Sequence, residues 1–268
     1  MRFTDPTEPL SAQLRSGVDL CTSYTTMDVT KPPFDDGKVR QAFALSVDKE
    51  KYVKVLMNGA GLPAKGLFPP ALPGYSQGSK GQEYKPDKAR ALLAESKYSR
   101  DMPPITFTIS GYGSDVSNRI SGLVQMWEEN LGVKITIQNI EPSHYQDAID
   151  AGKHGQLVSE GWCADYPDPE NFADILFHSG TDMNRSNYSN PELDVLLEKA
   201  RVEKDVTRRM EMYRQAEEII VKDAPAVFIS HGMSNMLVQA YINGYVQAPM
   251  GTPLERYLSI DSAVLNGE

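Results

Sequence analysis

The stretch ITFTISGYGSDVSNRISGLVQMWEENLGVKITI, residues 105–137, decides the fold. Ile105, Phe107 and Ile109 alternate with polar residues, as one face of a β-strand does. Ile120, Leu123, Val124, Trp127 and Leu131 then recur at helical spacing, and Val133, Ile135 and Ile137 alternate again. Strand, helix and strand in that order close into a parallel pair with a right-handed crossover in nearly all cases. The class is therefore α/β. Tyr145, Ala148 and Ile149 predict a second, shorter helix, and residues 156–162 the next strand. Further on, Asn190 is placed to cap a helix with Pro191 at its first position and Leu193, Leu196, Leu197 and Ala200 on one face. Asp205 caps another, with Met210, Tyr213, Ala216 and Ile220 inward and Asp223-Ala224-Pro225 as its end. Ala226-Val227-Phe228-Ile229 reads as a buried strand, followed by Met236-Leu237-Val238. Asp36 and Arg40, four apart at a helix start, read as a cap and an i,i+4 pair.

Where the strand at 156–162 stops, the chain runs Trp162-Cys163-Ala164-Asp165-Tyr166-Pro167-Asp168-Pro169-Glu170-Asn171-Phe172. In open α/β sheets ligands bind beyond the carboxyl ends of the strands, which gives this run a functional placement. An indole face and a carboxylate three residues apart both attract a cation and suit a ligand bearing an ammonium group. Pro167 and Pro169 fix two φ angles, so the carboxylate sits on a pre-set turn. The competing reading is a surface turn with a half-buried tryptophan. Asp165 and Asp168 also raise a hydrolase, since neighbouring carboxylates divide acid and base roles in glycoside cleavage. No Ser–His or Cys–His arrangement accompanies them, and no enzymatic activity is expected.

The 268 residues are 40% hydrophobic and 24% charged, enough to build a sizeable core. With 27 basic against 36 acidic side chains the formal charge is -9, which opposes a phosphate backbone, and nucleic acid is excluded as a partner. The four histidines, His144, His154, His178 and His231, lack ligand spacing, so neither a metal nor another cofactor is expected. Ser110-Gly111-Tyr112-Gly113-Ser114-Asp115 lacks the lysine of a phosphate loop and reads as a turn rather than an anion site. No run approaches the roughly 20 apolar residues of a membrane span, and residues 1–6 show neither the basic start nor the apolar run of a signal peptide.

Four stretches together resemble the C-terminal part of the family 5 solute-binding proteins of ABC importers, the oligopeptide, dipeptide and nickel-binding group. Lys31-Pro32-Pro33-Phe34-Asp35-Asp36-Gly37-Lys38-Val39-Arg40-Gln41-Ala42, with Asp48-Lys49-Glu50 after it, is similar to that family's PPF-D-VRQA signature. Gly59-Ala60-Gly61-Leu62-Pro63-Ala64 with Pro69-Pro70 and Gly74-Tyr75 is similar to the loop that follows. The Trp162 run is the third stretch. Asn187-Tyr188-Ser189-Asn190-Pro191-Glu192-Leu193-Asp194 with residues 209–225 is the fourth.

The resemblance implies the C-terminal lobe of a periplasmic-binding-protein-like class II (cluster C) fold, a mixed sheet flanked by helices. Residues 1–30 would enter the lobe, 31–235 form it, and 236–268 return toward a first lobe, so the chain reads as a C-terminal fragment with little affinity alone. It implies uptake of a peptide or related small molecule by an extracytoplasmic, monomeric protein that serves a membrane permease; a fragment serving only as an interaction module is the remaining alternative. Asp165 would accept the ligand's α-ammonium group and Trp162 would shape the adjoining pocket; Cys163, Tyr166, Tyr145 and His231 complete the candidate ligand-binding set. Some peptide binders place an arginine just before this motif to meet a ligand carboxylate. Ser159 and Glu160 stand there in this chain, so that role does not carry over, and Pro142 replaces an expected aromatic near His144 and Tyr145. The family also implies a disulfide between Cys163 and a cysteine near the start of the lobe, for which Cys21 is the candidate; two unpaired thiols are the alternative.

Overall fold

The computed structural model describes residues 7–78, 81–250 and 255–266. Along the chain come β1 (Leu14–Met27), α1 (Gly37–Leu45), the single turn α2 (Lys49–Lys51), β2 (Leu62–Pro63), α3 (Pro86–Ala94) and β3 (Ile105–Ser110). There follow α4 (Asn118–Leu131), β4 (Ile135–Ile140), α5 (Pro142–Asp150), β5 (Leu157–Cys163), α6 (Glu170–Phe177), α7 (Pro191–Val202) and α8 (Val206–Asp223). The chain closes with β6 (Ala226–Leu237), β7 (Ile242–Asn243), β8 (Ser259–Ile260) and α9 (Ser262–Asn266). Six strands form one mixed sheet in the order β2-β6-β1-β5-β3-β4, and β7 pairs with β8 apart from it. β3 runs parallel to β4 and β5, while β1 is antiparallel to β5 and β6. The α/β class read from the residue pattern, and the mixed sheet that the family resemblance implies, are thus present.

Each face of the sheet buries its own core. Ile105, Phe107 and Ile109 of β3 meet Leu123, Val124, Trp127 and Leu131 of α4, with Phe34 and Phe43 in the same cluster. On the other face Leu20, Tyr24, Phe68, Phe172, Leu193, Tyr213, Ile220 and Phe228 pack together under α6, α7 and α8. β6 shows why its first four residues are all apolar: alternation sends Val227 and Ile229 to one core and Ala226 and Phe228 to the other.

The helices begin where their caps lie. Asn190 accepts from the amides of Glu192 and Leu193, Asp205 from that of Arg208, and Asp36 from that of Lys38. Arg40 does not pair with Asp36 as expected. Its guanidinium donates to the carbonyls of Phe34 at 2.8 Å and Asp223 at 3.0 Å, tying α1 to the end of α8, because orphan carbonyls lie within its reach.

Residues 14–27, read from sequence as part of a segment entering the lobe, form the strand β1 between β5 and β6. Its Cys21–Met27 half pairs with β5, and Leu14–Val18 pairs with Leu237–Met233 of β6 as a ribbon that runs on past β5. β6 itself continues through the expected boundary at residue 235. Cys21 stands opposite Cys163 across β1 and β5, and the two form a disulfide with Sγ–Sγ 2.08 Å. The parallel strands β3, β4 and β5 all end on one edge, at Ser110, Ile140 and Cys163, and the Trp162 run follows there. Among the described residues no helix is long and apolar enough to cross a membrane.

Candidate functional site

At that edge one buried side chain organises the motif. Asn171, in the first turn of α6 and fully buried, receives the Trp162 indole Nε1–H at 3.1 Å and the Asp165 amide N–H at 2.9 Å. Two donors converge on the same atom, which identifies it as Oδ1. The Nδ2–H group then faces Asp165 Oδ2 at 3.4 Å. The indole and the carboxylate are thereby brought side by side, Trp162 half-buried against the core below α6 and Asp165 exposed. Hydrophobic patterning of Phe172, Ala173, Leu176 and Phe177 buries the inner face of α6 and carries Asn171 in with it.

The rest of the turn is fastened to α8. Arg209 grips Asp168 through both carboxylate oxygens, at 2.6 and 2.7 Å, and lies over the Tyr213 ring at 4.9 Å. Asp168 Oδ1 also accepts from the amide of Glu170, capping the start of α6. The Tyr166 hydroxyl donates to the Glu170 carboxylate, which pushes the phenol upward, and the ring stays exposed at 42%. This division weighs against the hydrolase reading. Of the two carboxylates only Asp165 faces outward, and Asp168 is engaged by a fixed cation.

The remaining candidates do not join this pair. Tyr145, on α5, gives its hydroxyl to the Ser159 carbonyl at 2.7 Å, and burial pushes that phenol upward. Cys163 is bound in the disulfide. His231 shares a cross-strand row with Thr22 and Trp162 but is 2% exposed. The Thr22 hydroxyl donates to Leu67 O at 2.8 Å, so its 2.9 Å contact with His231 makes Nδ1–H the donor. Burial, with the Lys49 charge nearby, lowers this imidazole to about 4. His231 therefore ties strands together; the register shift between Phe228 and Ser230 puts it on the face of Thr22 and Trp162, a direction that a lone histidine does not announce in sequence.

Glu160, standing where an arginine was sought, pairs with Arg185 at 2.8 Å and accepts from Thr26 at 2.5 Å, while Arg185 also reaches Asp150 at 3.1 Å. In the glycine-bearing turn, Asn139 Nδ2 donates to the carbonyls of Gly113 and Asp115, both at 3.0 Å, as plain turn chemistry requires. Among the described residues no group of three or more His, Cys, Asp or Glu side chains is arranged to hold a metal ion. Asn171 and Arg209 escaped the sequence reading of the site, although an asparagine opening an apolar helix beside the Trp162 run was a visible sign.

Residues 5–184 match the model of the bacterial extracellular solute-binding proteins, family 5, middle portion, and the chain belongs to that family. It is 33% identical over 242 residues to the dipeptide-binding protein of Escherichia coli K12, which covers 87% of this chain and 44% of the relative. Heme-binding protein A of Haemophilus influenzae is 30% identical over 264 residues, covering 96% and 47%. The solved structure of the ABC transporter-associated periplasmic binding protein DppA from Helicobacter pylori, in complex with the peptide STSA, aligns with a TM-score of 0.77 at 26% identity, covering 92% of this chain and 49% of that one. The chain spans about half the length of the curated relatives it matches.

Proposed function

We propose that this chain forms the C-terminal lobe of an extracytoplasmic binding protein that captures a peptide or related small solute bearing an ammonium group and delivers it to an ABC permease. The observation that carries the reading is the Trp162–Asp165 pair, set side by side on buried Asn171 at the carboxyl edge of the parallel strands. Asp165 accepts the ammonium group, the Trp162 ring walls it, and the exposed Tyr166 ring lies at the rim. Burying that ion pair costs desolvation, which closure of a second lobe over the ligand offsets by enclosing it. Exposed Met236, Leu237, Val246 and Ile260 follow the expected boundary at 235 and give the returning segment an apolar surface for that lobe. The protein acts as a monomer and breaks no bond of the solute.

The relatives' names support this class, and they include binders of dipeptide and of heme, so the solute has to be found by experiment. Incubating the two-lobe protein with a tripeptide pool and small basic solutes, then desalting and identifying what stays bound by mass spectrometry, tests the reading. The expected result is a retained, intact, ammonium-bearing solute. Cleaved products, or retention of solutes without an ammonium group, would overturn it.

A further inference from the structure

We infer that Asn171 is a positioning residue that sets the preference of the site for a free ammonium group, although it does not itself touch the solute. The inference rests on the proposed role of Asp165. Asn171 is fully buried, and its side-chain polar contacts go to groups proposed to meet the ligand: the indole N–H, the Asp165 amide, the Asp165 Oδ2 and the Tyr166 hydroxyl. Because Oδ1 is filled by two donors, Nδ2 is left for Asp165 Oδ2 and the Tyr166 hydroxyl, and its contact with Oδ2 leaves Oδ1 of Asp165 without a bond from Asn171. One amide thus braces the carboxylate, across a long 3.4 Å contact, and the tilt of the ring together. A carboxylate held in one orientation binds an ammonium without the entropy cost of being ordered at the moment of capture. Without the amide, Asp165 keeps its charge, but that charge sits on an exposed turn with free rotation, and the indole N–H loses its partner.

The chain has two tryptophans, and the second supplies an internal control. Trp127 is buried in the other core, where its Nε1–H donates to the Phe43 carbonyl at 3.1 Å. An NMR spectrum of ¹⁵N-labelled chain resolves the two indole N–H signals, and Trp162→Phe assigns them. Wild type and Asn171→Ala are titrated with millimolar tripeptide pool and with the same pool N-acetylated. In wild type the Trp162 signal moves with the free pool and much less with the acetylated one. In Asn171→Ala the Trp127 signal stays, the Trp162 signal moves before any ligand is added, and the preference for the free pool falls about tenfold, the scale of one hydrogen bond to a charged group.

If the preference survives in Asn171→Ala while the Trp162 signal has moved, Asn171 is a packing residue only and the inference is overturned. If both signals collapse, Asn171→Ser, which keeps a hydroxyl at the same place, is read by the same criterion. A preference that survives in Asn171→Ala but disappears in Asp165→Asn overturns the role of Asn171 and leaves the proposed function standing. If the wild-type chain alone responds to neither pool, the same comparison is read on the two-lobe protein; a response there to neither pool, or in either protein to both alike, removes the role of Asp165 and the inference with it.

Discussion

The parallel half of the sheet and its antiparallel half are held by contacts of different reach along the chain. β3, α4 and β4 are consecutive in the chain, and they meet in an aromatic and aliphatic core in which Trp127 contacts Phe43 and Phe107 at ring-centroid distances of 5.6 and 5.7 Å, with short-range polar ties from Thr108 to Gln138 and from Ile135 to Glu128. β1 and β6 come from opposite ends, with Thr26 beside Ala226 and Leu14 beside Leu237. Closing so long a loop costs entropy before any contact offsets it. Beside its apolar core that half carries polar ties: the Cys21–Cys163 bond, the Leu67–Thr22–His231 chain, and Gln82, whose amide donates to Ala226 O and accepts from Phe228 N along the β6 edge. β5 belongs to both halves and ends in the Trp162 run. Local burial therefore makes the platform, and long-range polar ties hold β1 and β6 against the strand that carries the site.

The largest expected effect lies in the first half. Trp127→Ala removes the centre of a close-packed core and should cost about 3–5 kcal/mol in urea unfolding; a loss below 1 kcal/mol would break the contrast. Next comes the disulfide. Replacing both Cys21 and Cys163 by Ala frees a loop whose ends are 142 residues apart and should cost about 2–4 kcal/mol, with thermal unfolding as the readout.

A titration test follows, because burial shifts two groups, His231 on β6 and Glu217 on α8, in opposite senses. His231 is lowered to about 4, so the unfolded chain alone takes up its proton between about 6.5 and 4, and stability falls as pH falls through that window. Glu217, whose carboxylate accepts the Phe68 amide, is raised by burial to about 7, so the folded chain holds a proton that the unfolded chain releases, and stability falls as pH rises from about 4.5 to 7. The slopes oppose each other in wild type. His231→Gln should leave a protein that gains stability on acidification from pH 7 to 4.5, and Glu217→Gln one that loses it below pH 6.5, each by on the order of 2 kcal/mol. Parallel curves for both variants would contradict the burial of these groups. Smallest is Arg209→Ala, which frees a half-exposed ion pair and should cost roughly 0.5–1 kcal/mol while loosening the Asp168 turn.

The two halves also differed in how readable they were. β3, α4 and β4 lay open in the sequence because burial on one face of consecutive elements writes its period directly into residues 105–137. Asn190 and Asp205 were legible for a similar reason, since a cap acts within three residues. β1 was not. Its sequence LRSGVDLCTSYTTM mixes glycine, charge and hydroxyls, and both partner strands lie far along the chain. At the site, Trp162 and Asp165 drew attention as a pair, whereas the pairing of Asp168 with Arg209 depends on how α8 packs and left no local sign. The direction of His231 was equally illegible, because it is set by its place in the sheet and not by its neighbours in sequence.

The most direct test of the central claim is calorimetric titration of the two-lobe protein with a peptide pool, wild type beside Asp165→Asn. A charged hydrogen bond to the solute predicts saturable heat in wild type and an affinity about 10- to 100-fold lower in the variant. Binding of equal affinity in both proteins would contradict the assignment of Asp165 as the ammonium acceptor.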